Sequence, residues 1–511
     1  CSSDLKYIYF YDNFTGKELA LLIDYLNSGK IKDSRLILRN DSRKELLEKA
    51  CILHKVSLDK EYIILEDFLP LLKAFEGANL DEIRKCDLAG YELVNKFSKF
   101  EIKDKVTRYI GARMGRPEKS EVRKMKGSPQ VLFPVGEKGG KMRNLVEVDT
   151  IFTEISEFYC IDHGSSILPY CLICGKHLEN PKRVRRKLNV LGLLNEAYKN
   201  LNEYRLNLIK GVKGVTSKHK VPEPIEKGIL RAKHGLYVFR DGTIRYDMVN
   251  APLTHFKPKE IRTSIEKLKE LGYTKDIYGK SLENEDQILE LFPQDIIIST
   301  FGERSAADYF FSVAKFIDEE LEKFYGVEPF YKVKKKEDLI GHLFLDIAPH
   351  TISPVVCRLI GFTSNRCHYA HPYLFAATRR DCDGEENGLI LMLDCLLNFS
   401  KEYLPEKRGS ISDAPLSITT ILDLEEVDDE VYDMDISFNY PKEFYEAKDI
   451  YPWEIKIEQV KNRLKEGNRY TNLGFTIPTT DINQGAHITR YKEAGDMIEK
   501  VVNQLKLAEK L

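Results

Sequence analysis

The residues best suited to chemistry form one short acidic stretch in the last third of the chain. It reads Arg379-Arg380-Asp381-Cys382-Asp383-Gly384-Glu385-Glu386. Alternate side chains of an extended segment point the same way, so Asp381, Asp383 and Glu385 can face a common point. Converging carboxylates repel one another unless a cation lies between them, and hard oxygen ligands suit Mg²⁺. Because Arg379 and Arg380 could hold phosphate, the stretch predicts metal-assisted phosphoryl transfer.

The alternative for this stretch is a solvated turn, because short acidic runs beside a glycine are common on protein surfaces. The neighbouring segments favour the catalytic interpretation. An apolar and aromatic segment, residues 371–378, precedes the acids, and an apolar segment, residues 389–399, follows them. A solvated turn between two apolar segments has no need for three carboxylates that face the same way.

A second pattern combines thiols and imidazoles. Cys160-Ile161-Asp162-His163 is followed by Cys171-Leu172-Ile173-Cys174, so each pair has two residues between its ligands. Tight turns with this spacing hold two edges of a tetrahedral Zn²⁺. The pattern predicts a closed structural zinc site made of Cys160, His163, Cys171 and Cys174. The alternatives are unrelated thiols, or a site in which His177 replaces His163.

Charge is unevenly distributed along the chain. Residues 103–143 contain twelve Lys or Arg and four acids, and residues 176–220 contain twelve and three. Residues 421–435 contain eight acids and no base. Two basic blocks around an acidic centre are typical of an enzyme that handles a polyanion. The alternative is that both blocks are merely solvated faces.

The composition sets wider limits. A chain of 511 residues with 42% hydrophobic residues can form several folded domains, and a net charge of −2 gives no overall attraction to nucleic acid. Ten irregularly spaced cysteines without a signal peptide predict a reducing cytoplasm. No apolar run reaches the length of a membrane span, so we expect no membrane partner. The first residue is Cys, which indicates a processed chain or part of a longer one.

Seven further segments stand out in order along the chain. They are GARMGRPEK at 111–119, KGVKG at 210–214, KGILRAKHG at 227–235, LFPQD at 291–295, APHT at 348–351, YAHPY at 369–373 and YLPEKRG at 403–409. Together they resemble the large subunit of the archaeal D-family DNA polymerases. The resemblance covers nearly the whole chain and is densest between about residues 105 and 450.

The resemblance implies an α+β multidomain fold whose catalytic core is two double-psi β-barrels with a zinc ribbon and helical insertions. We expect an α/β scaffold module at 1–100, which the sequence itself indicates, and the first barrel at 101–260. That barrel would contain a zinc-ribbon insertion at 155–180 and a basic amphipathic helix at 181–210. A helical connector at 261–326, the second barrel with the acidic loop at 327–450, and a helical segment at 451–511 would follow.

The resemblance also implies roles for residues. Asp381, Asp383 and Glu385 would bind the catalytic Mg²⁺, and this site is separate from the structural Zn²⁺ site predicted from spacing. Basic residues would bind the DNA backbone and the incoming nucleotide; these are Arg113, Arg116, Lys119, Lys124, Lys126, Lys218, Lys220, Lys227, Arg231, Lys233, His234, His350, Arg379, Arg380 and Lys407. The implied partners are primer-template DNA, deoxynucleoside triphosphates and a small subunit with 3′–5′ exonuclease activity. A sliding clamp would bind through a tail absent from this chain.

The acidic loop departs from the family pattern, Asn-Cys-Asp-Gly-Asp-Glu-Asp. Asp381 replaces the first Asn, Glu385 replaces the second key Asp, and Asn387 replaces the last Asp, whereas Asp383 is retained. Because the longer arm of Glu385 can move a ligand by about 1 Å, an alternative is a catalytically weakened subunit that keeps its DNA and partner contacts. A third possibility is a relative of the RNA polymerases, which share the barrel core.

Overall fold

The computed structural model describes residues 9–103, 119–171, 173–380, 384–405, 409, 411–422, 432–446, 455–467, 469–474, 481–484 and 496–510. The chain divides into two compact units. The first unit contains Cys1–Met114, Ser437–Glu458 and Ala494–Leu511, and the second contains Gly115–Ile436 and Gln459–Glu493. The predicted domain boundaries, which divide the chain more finely, stay a prediction.

The first unit combines a small antiparallel sheet with helices. The sheet has the order β1-β2-β4-β3, formed by β1 Lys30–Lys32, β2 Arg35–Arg39, β3 Lys55–Val56 and β4 Tyr62–Leu65. The helices are α1 Gly16–Asn27, α2 Lys44–Lys49, α3 Leu69–Ala74, α4 Leu80–Arg84, α5 Gly90–Phe97, α13 Lys442–Glu446 and α15 Met497–Lys510. Helix α1 begins where Thr15 and Glu18 form a reciprocal capping box, and its apolar face lies in the core of this unit.

A closed six-stranded β-barrel is the centre of the second unit. Its strands are β9 Tyr246–Pro252, β12 Asp295–Ser299, β13 Leu343–Ile347, β14 Val355–Thr363, β15 Cys367–Ala370 and β16 Glu386–Leu391. The order is β15-β12-β14-β13-β16-β9, and the pairing of β9 with β15 closes the ring. The pairs β12–β14 and β9–β15 are parallel. A short strand, β5 Glu121–Val122, extends the sheet from β9.

The barrel draws its strands from distant parts of the chain. Strand β9 comes from the range 101–260 expected to form the first barrel, and β12 comes from the range 261–326 expected to be a helical connector. The other four strands come from the range 327–450. Residues 261–326 are therefore not purely helical, because all five residues of β12 are buried as part of the sheet. A mixed α+β fold with a barrel core is confirmed at this level of detail.

Helices form much of the rest of the second unit. They are α6 Val190–Leu201, α7 Ile225–Lys233, α8 Pro258–Ile261, α9 Ile265–Glu270, α10 Ala306–Glu319, α11 Pro372–Ala377, α12 Met392–Asn398 and α14 Val460–Arg463. Helix α10 begins at an N-cap formed by Ser305, buries an apolar face in the main core and continues into a π-helical turn, Glu320–Tyr325. Within the described ranges, no helix is both long enough and apolar enough to cross a bilayer.

The second unit also contains a separate three-stranded sheet. It has the order β7-β6-β8, with β6 Thr150–Cys160, β7 Gly164–Ser166 and β8 Lys182–Asn189. There is a short strand pairing at β10 His255–Phe256 with β11 Leu289–Glu290.

The prediction of a basic helix at 181–210 is wrong for its basic part. Residues 182–189 are strand β8, which pairs with β6 along its whole length. Outward Arg183, Arg185 and Lys187 alternate with more buried residues, and this period of two is that of a strand. The helix begins only at Val190, after Asn189 accepts a hydrogen bond from the Gly192 amide at 2.9 Å.

Candidate functional site

Two tight turns bring the four predicted zinc ligands together. Cys160 is the last residue of β6, and a turn leads through His163 to β7. The second turn contains Cys171 and Cys174 and closes with a hydrogen bond from the Gly175 amide to the Cys171 carbonyl at 2.9 Å. Gly175 has a φ of 71°, which favours glycine at this position.

The distances within this cluster fit a tetrahedral ion. The Nδ1 atom of His163 lies 3.6 Å from the Sγ atoms of both Cys160 and Cys171, and the Sγ atoms of Cys160 and Cys174 are 3.9 Å apart. Ligands bonded to Zn²⁺ at about 2.1–2.3 Å in tetrahedral geometry lie about 3.4–3.8 Å from one another. The group contains His163 and not His177. The Cys/His cluster could therefore bind zinc.

Local hydrogen bonding prepares one thiol for a metal. The Cys174 amide donates to the Cys171 sulfur and, against the effect of burial, lowers the pKa of Cys171 to about 6. Metal ligation requires the thiolate, so this turn favours the ligating form. A small apolar cluster of Phe158, Leu178 and Val221 packs beneath the cysteines.

The described part of the acidic stretch lies between α11 and β16. Asp381 and Asp383 lie outside the described residues. Gly384 has a φ of 99°, a backbone conformation that side chains rarely adopt. Glu385 accepts a 2.8 Å hydrogen bond from Arg380, and its carbonyl accepts one from the Asn250 amide at 2.8 Å. Its carboxylate is therefore already paired with a cation.

Arg123 lies at the centre of a charged cluster next to this stretch and contacts three carboxylates. Its Nη1 lies 2.9 Å from Asp247 Oδ2 and 3.2 Å from Glu386 Oε1, and its Nη2 lies 3.7 Å from Asp413 Oδ2. Burial raises the pKa of Asp247, although Arg123 and a hydrogen bond with Glu386 act in the opposite direction. Arg240 forms a second ion pair with Asp413. Cations thus neutralise the buried carboxylates of Asp247 and Asp413 and the partly buried one of Glu386.

A cavity of about 880 Å³ opens beside Glu386 and Arg123. Seven bases and four acids line it, which gives the lining a net charge of +3. The bases are Lys119, Arg123, Lys124, Lys126, Arg240, Arg304 and Arg366. Aromatic rings lie beneath some of them, since Lys124 Nζ is 5.1 Å from the centre of the Tyr237 ring and Arg304 is 4.8 Å from that of Tyr309. The volume and the charge suit a phosphate-bearing ligand.

The predicted basic residues divide into several groups. Lys119, Lys124 and Lys126 line the cavity. Lys218, His350 and Arg379 are exposed, and Arg380 is paired with Glu385. Arg113, Arg116 and Lys407 lie outside the described residues. Among the described residues, Lys119, Lys124 and Lys126 lie around the same cavity as Glu386, and Arg380 contacts Glu385 directly.

Two of the predicted DNA-binding residues are buried, and for these the prediction is corrected. Arg231 is fully buried, paired with the equally buried Glu223 at 2.8 Å. Lys227 is 6% exposed, lies 3.0 Å from Glu320, and donates a 2.7 Å hydrogen bond to Asn398. These cations pair with buried carboxylates, which favours a structural role over the predicted contact with DNA.

Three further predicted residues already have local partners. Lys233 lies 2.8 Å from Glu203 and from Glu319, and His234 lies 3.4 Å from Glu319. Burial would raise the pKa of Glu319, but the hydrogen bonds from His234 and Lys233 bring it down to about 2. Lys220 donates to the Val215 carbonyl at 2.9 Å.

Sequence reasoning missed several residues of the cavity. Arg123 stands directly before the predicted Lys124, and the basic density of this block could have identified it. Arg240, Arg304 and Arg366 are single bases in separate segments, so only the fold brings them to the cavity. Asp247 lies on β9, opposite Gly388 of β16, and no local pattern singles it out.

Comparison with known proteins gives a consistent result. The family described as DNA polymerase II large subunit DP2, catalytic domain, matches residues 202–500. The central domain of the same subunit matches residues 4–190. The first family match alone covers more than half of the chain.

Curated relatives agree with the family match. The DNA polymerase II large subunit of Methanothermobacter thermautotrophicus is 42% identical over 99% of this chain and 46% of its own length. That of Archaeoglobus fulgidus is 42% identical over 98% and 48%, and that of Pyrococcus furiosus is 46% identical over 82% and 36%. The chain thus spans less than half the length of these relatives. The barrel, the acidic stretch beside its cationic cavity, and these matches together lead to one conclusion: the chain belongs to the family of DNA polymerase II large subunits.

Proposed function

We propose that the cavity and the acidic stretch form the site of template-directed DNA synthesis. The observation that carries this proposal is a cationic cavity of about 880 Å³ directly beside the described end of the carboxylate stretch. Phosphoryl transfer needs a divalent metal held by oxygen ligands and cations that neutralise phosphate charge. The described end of the acidic stretch and the cations of the cavity wall lie side by side here.

The donor set fits Mg²⁺. Asp381, Asp383 and Glu385 supply only carboxylate oxygens, the ligands that this hard cation prefers. Bound Mg²⁺ would lower the pKa of the primer 3′ hydroxyl and neutralise charge on the triphosphate. The residues of the chain would position the reactants: the carboxylates at the primer end, and Lys119, Lys124 and Lys126 along the phosphates.

Arg123 would have a structural role in this site. It balances Asp247 and Glu386, so those two carboxylates do not repel the substrate phosphates from the cavity wall. Pairs of a cation and a partly buried aromatic ring, such as Lys124 over Tyr237, could hold a phosphate and a base of the same nucleotide. Contacts of this kind would bind DNA without reading its sequence.

The finer details of the family belong to the proposal as well. We propose that the six-stranded barrel is one of two double-psi barrels, and that the Cys/His cluster binds a structural Zn²⁺ with no open ligand position. A small subunit with exonuclease activity and a sliding clamp would complete the enzyme, with DNA and deoxynucleoside triphosphates as substrates. A cytoplasmic location would follow from DNA as the substrate.

A second candidate function is a catalytically weakened subunit that still binds DNA. The ion pair between Arg380 and Glu385 favours it, because Glu385 must share or give up this partner in order to bind a metal. The glutamate also stands where the family pattern has an aspartate.

The test is primer extension by the purified chain, alone and with the small subunit. Extension with deoxynucleotides and Mg²⁺ would support the polymerase, whereas DNA binding without extension would support the weakened subunit. Preferential incorporation of ribonucleotides would instead indicate a relative of the RNA polymerases. A chain that neither extends a primer nor binds DNA would contradict both candidates.

A further inference from the structure

A buried polar cluster lies at the two ends of the acidic stretch. Thr378 precedes the stretch, after the last residue of α11, and Asn387 follows it in β16. Asn387 Nδ2 lies 3.2 Å from Thr378 Oγ1 and 2.8 Å from Asp346 Oδ1 on β13. His368 on β15 lies 3.3 Å from the other oxygen of Asp346. All four side chains are at most 2% exposed.

The two oxygens that face the Asn387 amide nitrogen are both acceptors. The hydroxyl of Thr378 donates to the Phe375 carbonyl at 2.9 Å, so its oxygen is left to accept. Asp346 can only accept while it is ionised. The amide nitrogen of Asn387 carries two hydrogens, and it donates one to each of these oxygens. Asn387 therefore ties the start of β16 both to the end of α11 and to β13.

We propose that Asn387, Thr378 and Asp346 form a positioning clamp that holds the ends of the acidic stretch at a fixed separation. The inference rests on the proposed metal-binding role of that stretch. Carboxylates that must converge on one ion repel one another when it is absent, so their backbone has to be held by other contacts. Buried hydrogen bonds behind a metal site commonly contribute about 10–100-fold to metal affinity.

The clamp also explains the departure from the family pattern at this position. An ionised aspartate at 387 would have no hydrogen to donate to Asp346 or to Thr378. It would place a second carboxylate against Asp346 in a fully buried position, which is costly without a shared proton or cation. The amide of this chain makes both contacts as a neutral group.

The test measures Mn²⁺ binding by electron paramagnetic resonance on the full, zinc-loaded chain. We expect Asn387→Leu, which has a similar size but no donor, to weaken Mn²⁺ binding by about 10–100-fold. Asn398→Leu is the matched control, because Asn398 is also a buried amide in this unit but contacts Glu320 and Asp394. We expect this control to lower the unfolding midpoint without changing the Mn²⁺ affinity of the folded protein.

A second pair of variants covers the case in which Asn387→Leu does not fold. Thr378→Ser keeps the accepting oxygen and should bind Mn²⁺ within about twofold of the parent chain, whereas Thr378→Val should weaken binding by about tenfold. Equal Mn²⁺ affinity in folded Thr378→Val and Thr378→Ser would overturn the clamp. Primer extension by the unaltered chain tests the proposed function separately. If Mn²⁺ binding depends on the clamp residues but the chain does not extend a primer, only the proposed function is refuted.

Discussion

The Cys/His cluster and the acidic site are both groups of charged or ligating side chains, but they are assembled in different ways. The four ligands of the first lie within fifteen consecutive residues and are brought together by two turns. The described partners of the second come from β5, β9, β13, β15 and β16 and from loops near residues 240, 303 and 413. Local spacing therefore determines the first site, whereas barrel closure determines the second.

This difference predicts different responses to mutation. If a site made from two turns is lost, the barrel should stay folded, since the loss removes contacts of only one small sheet. A site made from barrel strands shares its residues with the core, so changes there should affect stability and chemistry together. The following predictions test the distinction.

The largest effect should follow from loss of a zinc ligand. We expect Cys171→Ala to reduce bound zinc from one ion per chain to none, because a structural site needs all four ligands, and zinc contributes about 10 kcal/mol or more to small zinc modules. Hydrogen exchange should rise steeply in residues 150–189 while the barrel strands keep their protection. Elemental analysis measures the zinc content.

His177→Ala is the matched control for this experiment, since His177 lies outside the ligand group. It should keep the zinc and the exchange pattern. If hydrogen exchange rises equally in the barrel strands after Cys171→Ala, the idea that this site can be lost without disturbing the barrel is contradicted.

Two lysines with similar sequence surroundings should respond in opposite ways. We expect Lys227→Met to destabilise the chain by about 3–5 kcal/mol, because the buried Glu320 carboxylate loses the cation of its ion pair. Lys124→Met should leave stability unchanged but weaken DNA binding, and it should lower the slope of log affinity against log salt by about one. Urea denaturation and DNA binding at several salt concentrations measure the two effects.

The opposite result for Lys227 would reverse its assignment from a structural residue to a DNA-binding one. A stable Lys227→Met variant with weakened DNA binding would mean that this side chain faces DNA after all.

The success of sequence reasoning follows the same division. The grouping of Cys160, His163, Cys171 and Cys174 could be predicted, because their spacing acts within a few residues. The exposure of Lys124 and the burial of Lys227 could not be predicted, since both stand in basic segments and differ only in which strands and helices surround them. Residues 182–189 form a strand and not the predicted helix, because their exposed basic residues alternate with more buried ones at a period of two.

Arg123 and Asn387 illustrate a further limit. Each derives its role from partners more than 40 residues away: Asp247 and Glu386 for Arg123, and Asp346 for Asn387. The acidic stretch itself was recognisable, but the groups that neutralise and position it depend on barrel register.

A smaller effect is expected from the longer arm of Glu385. We expect Glu385→Asp to leave primer extension unchanged or to raise it by up to about tenfold, since the shorter arm withdraws from Arg380 and a misplacement of 1 Å can cost up to about 100-fold. Single-turnover extension measures the rate, with Glu385→Gln as the variant that keeps the length but removes the charge. A large loss in Glu385→Asp would show that this site depends on the longer side chain.

The smallest effect concerns the ion pairs of Glu319. Its folded pKa of about 2 lies below its usual value of 4.5, so the stabilisation is full above pH 4.5 and is lost as pH falls towards 2. We expect Glu319→Gln to reduce the fall in unfolding free energy over this range. Urea denaturation at several pH values checks this, and an unchanged pH dependence would mean that Lys233 and His234 do not hold the carboxylate in solution.

The most direct test of the central claim pairs two measurements on Asp383→Ala. Asp383 is the carboxylate that matches the family pattern while its neighbours differ, so its removal should delete a Mg²⁺ ligand and leave the cationic cavity intact. We predict that primer extension is abolished while DNA affinity stays within about twofold of the unaltered chain, because the phosphate contacts are made elsewhere. Full primer extension by Asp383→Ala would remove the acidic stretch from the mechanism and contradict this account.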